Sequence, residues 1–133
     1  MAQATAVYST QDWDRKPWPA AANEGSGLKL GRVEMVHSYT GDIEGQGLLQ
    51  YLFAYDENGG SFIGLEKIVG SIAGKSGSFI LQFTGTAVND RLQQVLTVVP
   101  GSGTGELSGL SGQATMECKV HQEQYTLMLD YTL

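Results

Sequence analysis

The sequence predicts an all-β fold: an eight-stranded antiparallel barrel that closes on itself with meander topology. Three observations support this prediction. Apolar and polar residues alternate along eight segments, glycine is frequent at 18 of 133 residues, and short turns rich in Gly, Asn or Asp separate the segments. Such turns are typical of β-hairpins. Eight strands joined in series are enough for a sheet to close, which removes both edges and leaves room for one small ligand.

Each predicted strand lies between two breaks in this pattern, and no segment predicts a helix. Residues 1–133 are predicted to form one domain. The connection over residues 13–27 contains both tryptophans, Trp13 and Trp18, and is predicted to cap one end of the barrel. The predicted strands are residues 4–13, 28–40, 43–55, 61–73, 76–87, 92–99, 106–118 and 125–133.

The hairpin turns predict which side chains face the lumen. If Gly41-Asp42, Gly74-Lys75 and Asn89-Asp90 are two-residue turns, residues equally far from a turn lie opposite each other on one face of the sheet. We assign the more apolar face to the lumen. It comprises Val33, Met35, His37, Tyr39, Glu44, Gln46, Leu48, Gln50, Leu52, Phe62, Gly64, Glu66, Ile68, Phe79, Leu81, Phe83, Leu92, Gln94, Leu96 and Val98.

This assignment leaves an apolar row on the outer face of the third strand, formed by Leu49, Tyr51, Phe53 and Tyr55. A monomer rarely exposes such a stripe, so it predicts a homo-oligomer. The loop between the third and fourth strands is longer than the others and fixes the register less firmly. A slip of one residue would place these four side chains in the lumen instead.

Glu66 is the predicted catalytic residue, because it is a carboxylate deep in an otherwise apolar row. Burial of a carboxylate is unfavourable unless it is paired or protonated, and such a group suits acid–base chemistry. His37, Tyr39 and Gln50 are predicted to orient it or a ligand. The alternative is a buried acid with a purely structural role. The predicted ligand-binding residues are Met35, His37, Tyr39, Gln50, Phe62, Phe79, Leu81 and Phe83.

Composition argues against several other functions. The formal charge of −6 and the absence of a basic cluster beyond Arg15-Lys16 disfavour nucleic acid and anionic membranes as partners. The lone Cys118 permits no intrachain disulfide, and the first residues do not resemble a signal peptide, which predicts a cytoplasmic protein. His37, His121 and Cys118 lack the spacing of a metal site, and no cofactor is implied.

Several segments resemble a bacterial family of unknown function. They are residues 40–47, 51–55, 61–66, 77–82, 98–107 and 129–131. The most specific is the glycine-rich run over residues 100–112, which also resembles a signature of plant allene oxide cyclases and dirigent proteins. The resemblance implies an allene oxide cyclase-like barrel with a cavity, in a superfamily that isomerises, cyclises or steers small hydrophobic molecules, commonly as trimers. Members often have histidine at the position of Phe83, so a histidine that would pair there with Glu66 is missing.

Three functions are consistent with these features. The leading hypothesis is a barrel that binds a small hydrophobic molecule and acts as an isomerase or cyclase by proton transfer through Glu66. The second is a non-catalytic carrier of such a molecule. The third is a structural oligomer whose lumen is filled by Met35, Phe62, Phe79 and Phe83. The volume of the lumen separates the third hypothesis from the other two.

Overall fold

The structure, a computed structural model, describes residues 1–19, 24, 25 and 27–133, and only the backbone of residues 12 and 13. This part of the chain forms a closed barrel in which each strand pairs antiparallel with the next and the last pairs with the first. The predicted eight-stranded antiparallel meander is therefore confirmed. The strands are β1 (Ala2–Pro17), β2 (Lys29–Gly41), β3 (Ile43–Asp56), β4 (Gly59–Ile72), β5 (Lys75–Val88), β6 (Arg91–Val98), β7 (Ser111–Lys119) and β8 (Tyr125–Thr132).

Two strand boundaries differ clearly from the prediction. β1 continues to Pro17, because an irregularity between Gln11 and Asp14 shifts its register on β2 and lets pairing resume. β7 begins at Ser111 rather than at residue 106, because Gly105–Leu107 forms a single 3-10 turn. The predicted cap over residues 13–27 therefore overlaps β1 as far as residue 17, and its residues 20–23 and 26 lie outside the described part of the chain.

The predicted lumen face of β3 is wrong. Met35 pairs with Leu49 and Val33 with Tyr51, one residue away from the pairing that a two-residue turn at Gly41-Asp42 would give. A shift of one residue moves every side chain of the strand to the other side of the sheet. Leu49, Tyr51, Phe53 and Tyr55 therefore point into the barrel, as the alternative register predicted. Glu44, Gln46, Leu48, Gln50 and Leu52 lie on the outer face.

The cause of this shift is the way neighbouring strands hold Asp42. The Asp42 amide donates to the Thr5 carbonyl at 3.0 Å, and the Thr5 amide donates to the Asp42 carboxylate at 2.9 Å. The Asp42 carbonyl accepts the Ala73 amide hydrogen at 2.8 Å. Gly41 and Gly45 take φ values of +111° and +139°, which glycine adopts readily. Bonds to β1 and to the β4–β5 turn thus stabilise a pairing of β2 with β3 that is shifted by one residue from the predicted one.

The faces of β4, β5 and β6 are those predicted. The β5–β6 turn is Asn89-Asp90, as expected, whereas the β4–β5 turn is Ala73-Gly74. That displacement changes the pairing by two residues, so the same side chains still face inward. The displacement does change the residue opposite Glu66, which is Leu81 rather than Phe83. Phe83 lies opposite Gly64.

One half of the barrel interior is a packed apolar core. Its most deeply buried large side chains, each under 2% exposed, include Ile43, Ile68, Ile72, Phe79, Leu81, Leu107, Leu127 and Leu129. Leu107 comes from the 3-10 turn, so the glycine-rich segment closes this end. The Ser78 amide donates to Thr104 Oγ1 at 3.0 Å and the Ile80 amide to Ser102 Oγ at 3.0 Å, which anchors the segment to β5 beyond the end of β6.

Replacing Thr104 with valine is expected to lower the free energy of unfolding by about 1–2 kcal/mol, because Ser78 loses a side-chain partner for its amide and its hydroxyl. Urea denaturation followed by circular dichroism measures the change. Thr84→Val, on an exposed position of β5, is the matched control and is expected to change stability little. Equal stabilities for the two variants would contradict the anchoring role of Thr104.

Candidate functional site

The other half of the barrel contains a cavity of about 740 Å³ that opens to solvent. This volume suits one small organic molecule. The β3–β4 turn, the β5–β6 turn and residues 120–122 between β7 and β8 contribute to its wall. The structural hypothesis required Met35, Phe62, Phe79 and Phe83 to fill the lumen. Because this cavity remains, they do not fill it.

A cluster of polar side chains lies on the cavity wall around Glu66. The carboxylate of Glu66 is 2% exposed. The Tyr39 hydroxyl donates to Glu66 Oε2 at 2.7 Å, and His37 Nδ1 lies 3.1 Å from the same oxygen. The carboxylate thus has two polar partners, which offset the unfavourable free energy of burying it.

Gly47 allows this cluster to form. His37 and Tyr39 lie on β2 and Glu66 on β4, so their side chains meet across β3. Gly47 lies between them, paired with His37 on one side and Ile68 on the other. A Cβ atom at Gly47 would lie 2.0 Å from Glu66 Oε2 and 2.8 Å from Cδ. Any larger residue would therefore displace the carboxylate.

Tyr8 completes the polar wall from β1. Its ring stacks on the imidazole of His37, with centroids 4.2 Å apart and planes 27° from parallel, and it also stacks on Tyr125 of β8 at 5.4 Å. Burial raises the pKa of both Tyr8 and Tyr39 well above the usual value, and the negative charge of Glu66 raises each further. Both hydroxyls therefore keep their protons at neutral pH.

The part of the cavity lining beside this cluster, on β3, β4 and β5, is aromatic and apolar. Tyr51, Phe62 and Phe83 form a triangle whose ring centroids are 5.8–6.2 Å apart. Gly64 makes room for it, because a Cβ there would lie 2.7 Å from Phe83 Cζ and 2.6 Å from Tyr51 Cβ. Burial raises the pKa of Tyr51, and it raises that of Tyr55 near the cavity mouth to about 12.

Most of the predicted site residues line the cavity, namely Met35, His37, Tyr39, Phe62, Glu66 and Phe83. Phe79 and Leu81 face inward as predicted but belong to the packed core, and neither lines the cavity. The prediction for Gln50 is wrong, because the register of β3 places it on the outer face, where it is exposed.

Four residues of this site were not predicted from the sequence: Tyr8, Gly47, Tyr51 and Tyr125. Tyr51 was assigned to the outer face because the register of β3 was wrong. Tyr8 and Tyr125 pair with each other where β1 meets β8, a junction with no connecting turn. The signal available for Gly47 was the Gly45-x-Gly47 spacing, since glycines two apart in a strand mark a face that another group approaches closely.

The mouth of the cavity carries charged side chains. Glu57 and Asp90 lie on hairpin turns at the mouth and Asp56 at the adjacent end of β3. Arg15 and His121 also line the cavity. The guanidinium of Arg15 lies 4.9 Å from the centroid of the Phe53 ring.

Within the described ranges, no group of three or more His, Cys, Asp or Glu side chains is arranged to hold a metal ion. Among the same residues, no helix has the length and apolar character needed to cross a membrane.

Comparisons with known proteins agree with the predicted resemblance to a family of unknown function. The family model DUF3224, described as a protein of unknown function, matches residues 4–131. A crystal structure from Shewanella oneidensis, described as a protein of unknown function from the DUF3224 family, is 29% identical. The match covers 100% of this chain and 99% of that one, with a TM-score of 0.76. No curated protein matches the sequence. This chain therefore belongs to the DUF3224 family.

Proposed function

We propose that this protein binds a small organic molecule in its lumen and exchanges a proton with it through His37. The observation that carries the proposal is the contact between His37, Glu66 and Tyr39 on the wall of a cavity of about 740 Å³. Buried titratable groups that line a cavity of ligand size are typical of active sites.

The contacts favour His37 as the group that touches the molecule and Glu66 as the residue that positions it. Glu66 Oε2 already has two partners, the Tyr39 hydroxyl and His37 Nδ1. A carboxylate that accepts the Nδ1 hydrogen fixes the imidazole tautomer, and it leaves the Nε2 lone pair as the base. This arrangement moves the acid–base role predicted for Glu66 to its neighbour.

The proposed step needs no cofactor. Nε2 of His37 takes a proton from a carbon next to a carbonyl group, and the electron pair of the broken bond moves toward the carbonyl oxygen. The imidazolium then returns the proton to another atom of the same molecule, which completes an isomerisation or a cyclisation. The Tyr125 hydroxyl lines the cavity and accepts the Gln122 amide hydrogen at 3.2 Å. Because it acts as an acceptor there, its own hydrogen can donate to the carbonyl oxygen of the bound molecule.

The resemblance of residues 100–112 to allene oxide cyclases and dirigent proteins supports this proposal, because those proteins isomerise or steer small molecules inside such barrels. One fold can host many functions, so the proposal rests first on the site. A carrier would use the same cavity without the proton transfer.

Binding in the lumen can be tested with N-phenyl-1-naphthylamine, a neutral dye whose fluorescence rises in apolar surroundings. We expect the wild-type protein to bind it and Ala87→Trp, which adds a large ring at a cavity-lining position, to bind it at least about tenfold more weakly. Val88→Trp, the neighbouring residue on the exposed face, is the matched control and should bind as the wild type does. Equal binding by both variants would place the dye outside the lumen and contradict the proposal.

Proton exchange can be tested in D₂O with a panel of small cyclic and aromatic ketones, by following the loss of their α-hydrogen signals in NMR spectra. We expect His37→Gln to slow the exchange of a bound ketone by about 100-fold, the usual contribution of a general base. If the wild type binds ketones and exchanges none of them faster than His37→Gln does, the protein is a carrier.

We also propose that the chain forms a homo-oligomer, although through other residues than the sequence predicted. The outer face of β3 and β4 exposes Leu48, Ile63, Leu65 and Val69, each more than half exposed. This outer face also carries both positive and negative charge, from Arg32, Lys67 and Glu34. An apolar surface flanked by both charges can pair with a second copy of itself.

Replacing Leu65 with glutamate is expected to dissociate this oligomer, because each copy would bury a new charge in the contact. Light scattering coupled to size-exclusion chromatography measures the mass. Val95→Glu, at an exposed apolar position on β6, is the control and should keep the wild-type mass. A monomeric wild type would refute the homo-oligomer.

A further inference from the structure

We infer that the molecule bound in this lumen is a small arylalkylamine, an amine carried on a carbon attached to an aromatic ring, in its positively charged ammonium form. The inference rests on the proposed binding in the lumen and adds the charge of the ligand to it. Three features support it: the charges that line the cavity, the environment of Glu66, and the aromatic walls.

The side chains lining the cavity carry an excess of negative charge. Among the described lining residues, four are carboxylates, Asp56, Glu57, Glu66 and Asp90, and Arg15 is the only lysine or arginine. The whole chain has a formal charge of −6, which adds to the same field. A cleft with low-dielectric walls concentrates such a field, so it attracts cations and repels carboxylates and phosphates.

Glu66 supplies negative charge deep inside the cavity. Its partners are the Tyr39 hydroxyl and the His37 imidazole, both of which are hydrogen-bonding groups. Lys16 pairs with Asp14 and Arg91 with Glu117 at the surface, so neither of these two cations neutralises Glu66. A ligand ammonium group is therefore suited to balance the charge of Glu66.

The cavity walls suit the rest of such a molecule. Tyr51, Phe62 and Phe83 form one wall, and Tyr8 and Tyr125 contribute rings to the other. Aromatic faces bind planar rings by stacking and bind cations through their quadrupole. The cation–π contact of Arg15 with Phe53, at 4.9 Å, is an internal example of the same interaction. Aromatic rings and carboxylates together are the usual means of recognising organic ammonium groups.

The charge of the ligand can be tested with three compounds of the same shape: naphthalen-2-ylmethanamine, naphthalen-2-ylmethanol and naphthalene-2-carboxylate. At neutral pH they are a cation, a neutral molecule and an anion. Each competes with N-phenyl-1-naphthylamine for the wild-type protein at low salt. We expect the amine to displace the dye at a concentration at least about fivefold below that of the alcohol, and the carboxylate to be the weakest.

Variants identify the source of this preference. Glu66→Gln should remove most of the advantage of the amine over the alcohol. Asp90→Asn should reduce the advantage without affecting folding, because Asp90 has a φ of +64° that asparagine also adopts. Glu117→Gln removes one exposed charge outside the lumen and is the matched control, so it should keep the wild-type preference.

The outcomes separate the two proposals. If the alcohol displaces the dye and the amine has no advantage, or if the carboxylate binds best, the inference is wrong and binding in the lumen stands. If the dye does not enter the lumen and none of the three compounds binds, the proposed function fails, and this inference fails with it. An advantage of the amine that Glu117→Gln reduces as much as Asp90→Asn does would reflect net charge alone and would overturn the role of the cavity.

Discussion

Replacing Gly47 with alanine is expected to break the contact between His37 and Glu66 while the barrel remains folded. The new Cβ would lie within 3.0 Å of three side-chain atoms of Glu66, and no backbone atom is among these nearest neighbours. The carboxylate must therefore move away, whereas β3 can keep its pairing. We expect the free energy of unfolding to fall by about 2–4 kcal/mol, because a buried carboxylate loses its partners.

The tautomer of His37 is the sharpest measurement of this change. In the wild type, Glu66 should hold the hydrogen on Nδ1, and long-range ¹H–¹⁵N NMR correlations distinguish this form from the Nε2-protonated form. We expect Gly47→Ala to lose the Nδ1-protonated signature and to slow proton exchange of a bound ketone by about 100-fold. An unchanged tautomer in Gly47→Ala would contradict the geometry of the site.

A double variant tests whether the effect acts through the carboxylate. Aspartate is one methylene shorter than glutamate, so Glu66→Asp makes room for the alanine side chain. We expect Gly47→Ala with Glu66→Asp to be more stable than the sum of the two single changes, by about 1 kcal/mol or more. Activity should stay low, because the shorter side chain does not reach His37. Additive stabilities would show that the two positions do not interact. Gly45→Ala is a useful contrast, because a Cβ there meets the Val69 carbonyl oxygen at 2.2 Å and disturbs the backbone itself.

Local patterns were sufficient to predict the architecture and most of the lumen. Alternation gave the eight strands, and the turn residues gave their order. The β4–β5 turn was misplaced by one residue, yet the pairing changed by an even number of residues. Phe62, Glu66, Phe79 and Phe83 therefore still faced inward.

The register of β3 could not be predicted from its own hairpin. Asp42 is held by hydrogen bonds from Thr5 and Ala73, which lie 37 and 31 residues away in the chain. Such long-range contacts form only in the closed barrel. The residues of the hairpin alone therefore favoured the pairing of a two-residue turn. This single shift explains why Gln50 was assigned to the site and why the ring of Tyr51 was assigned to the surface.

The polar cluster was predicted only in part, for a related reason. His37, Tyr39 and Glu66 were expected on one face, but they come from strands that are not neighbours. Contact across β3 depends on Gly47 facing inward, which requires the observed register. Tyr8 belongs to the cluster because β1 pairs with both β2 and β8 when the barrel closes. A meander of hairpins does not fix the register of that last pairing.

Raising the pH is expected to unfold the barrel cooperatively as its buried tyrosines ionise. Burial raises the pKa of Tyr8, Tyr39 and Tyr51 above the usual value, and that of Tyr55 to about 12. In the unfolded chain each group titrates near pH 10. The folded state therefore binds more protons than the unfolded state above that pH. Its stability is complete below about pH 10 and decreases as the pH rises through 10 to 12 and beyond.

Absorbance at 295 nm, which reports tyrosinate, and far-ultraviolet circular dichroism should therefore change together over this range. Tyr8→Phe is the most informative variant, because within the described residues the hydroxyl it removes makes one weak bond, to Met116 Sδ at 3.7 Å. We expect its stability at neutral pH to stay within about 1 kcal/mol of the wild type. Its unfolding should shift to higher pH, since one fewer buried group draws the equilibrium toward the unfolded state. Gradual ionisation of all six tyrosines before any loss of circular dichroism would show that these hydroxyls are accessible to solvent, which would contradict their burial in the lumen.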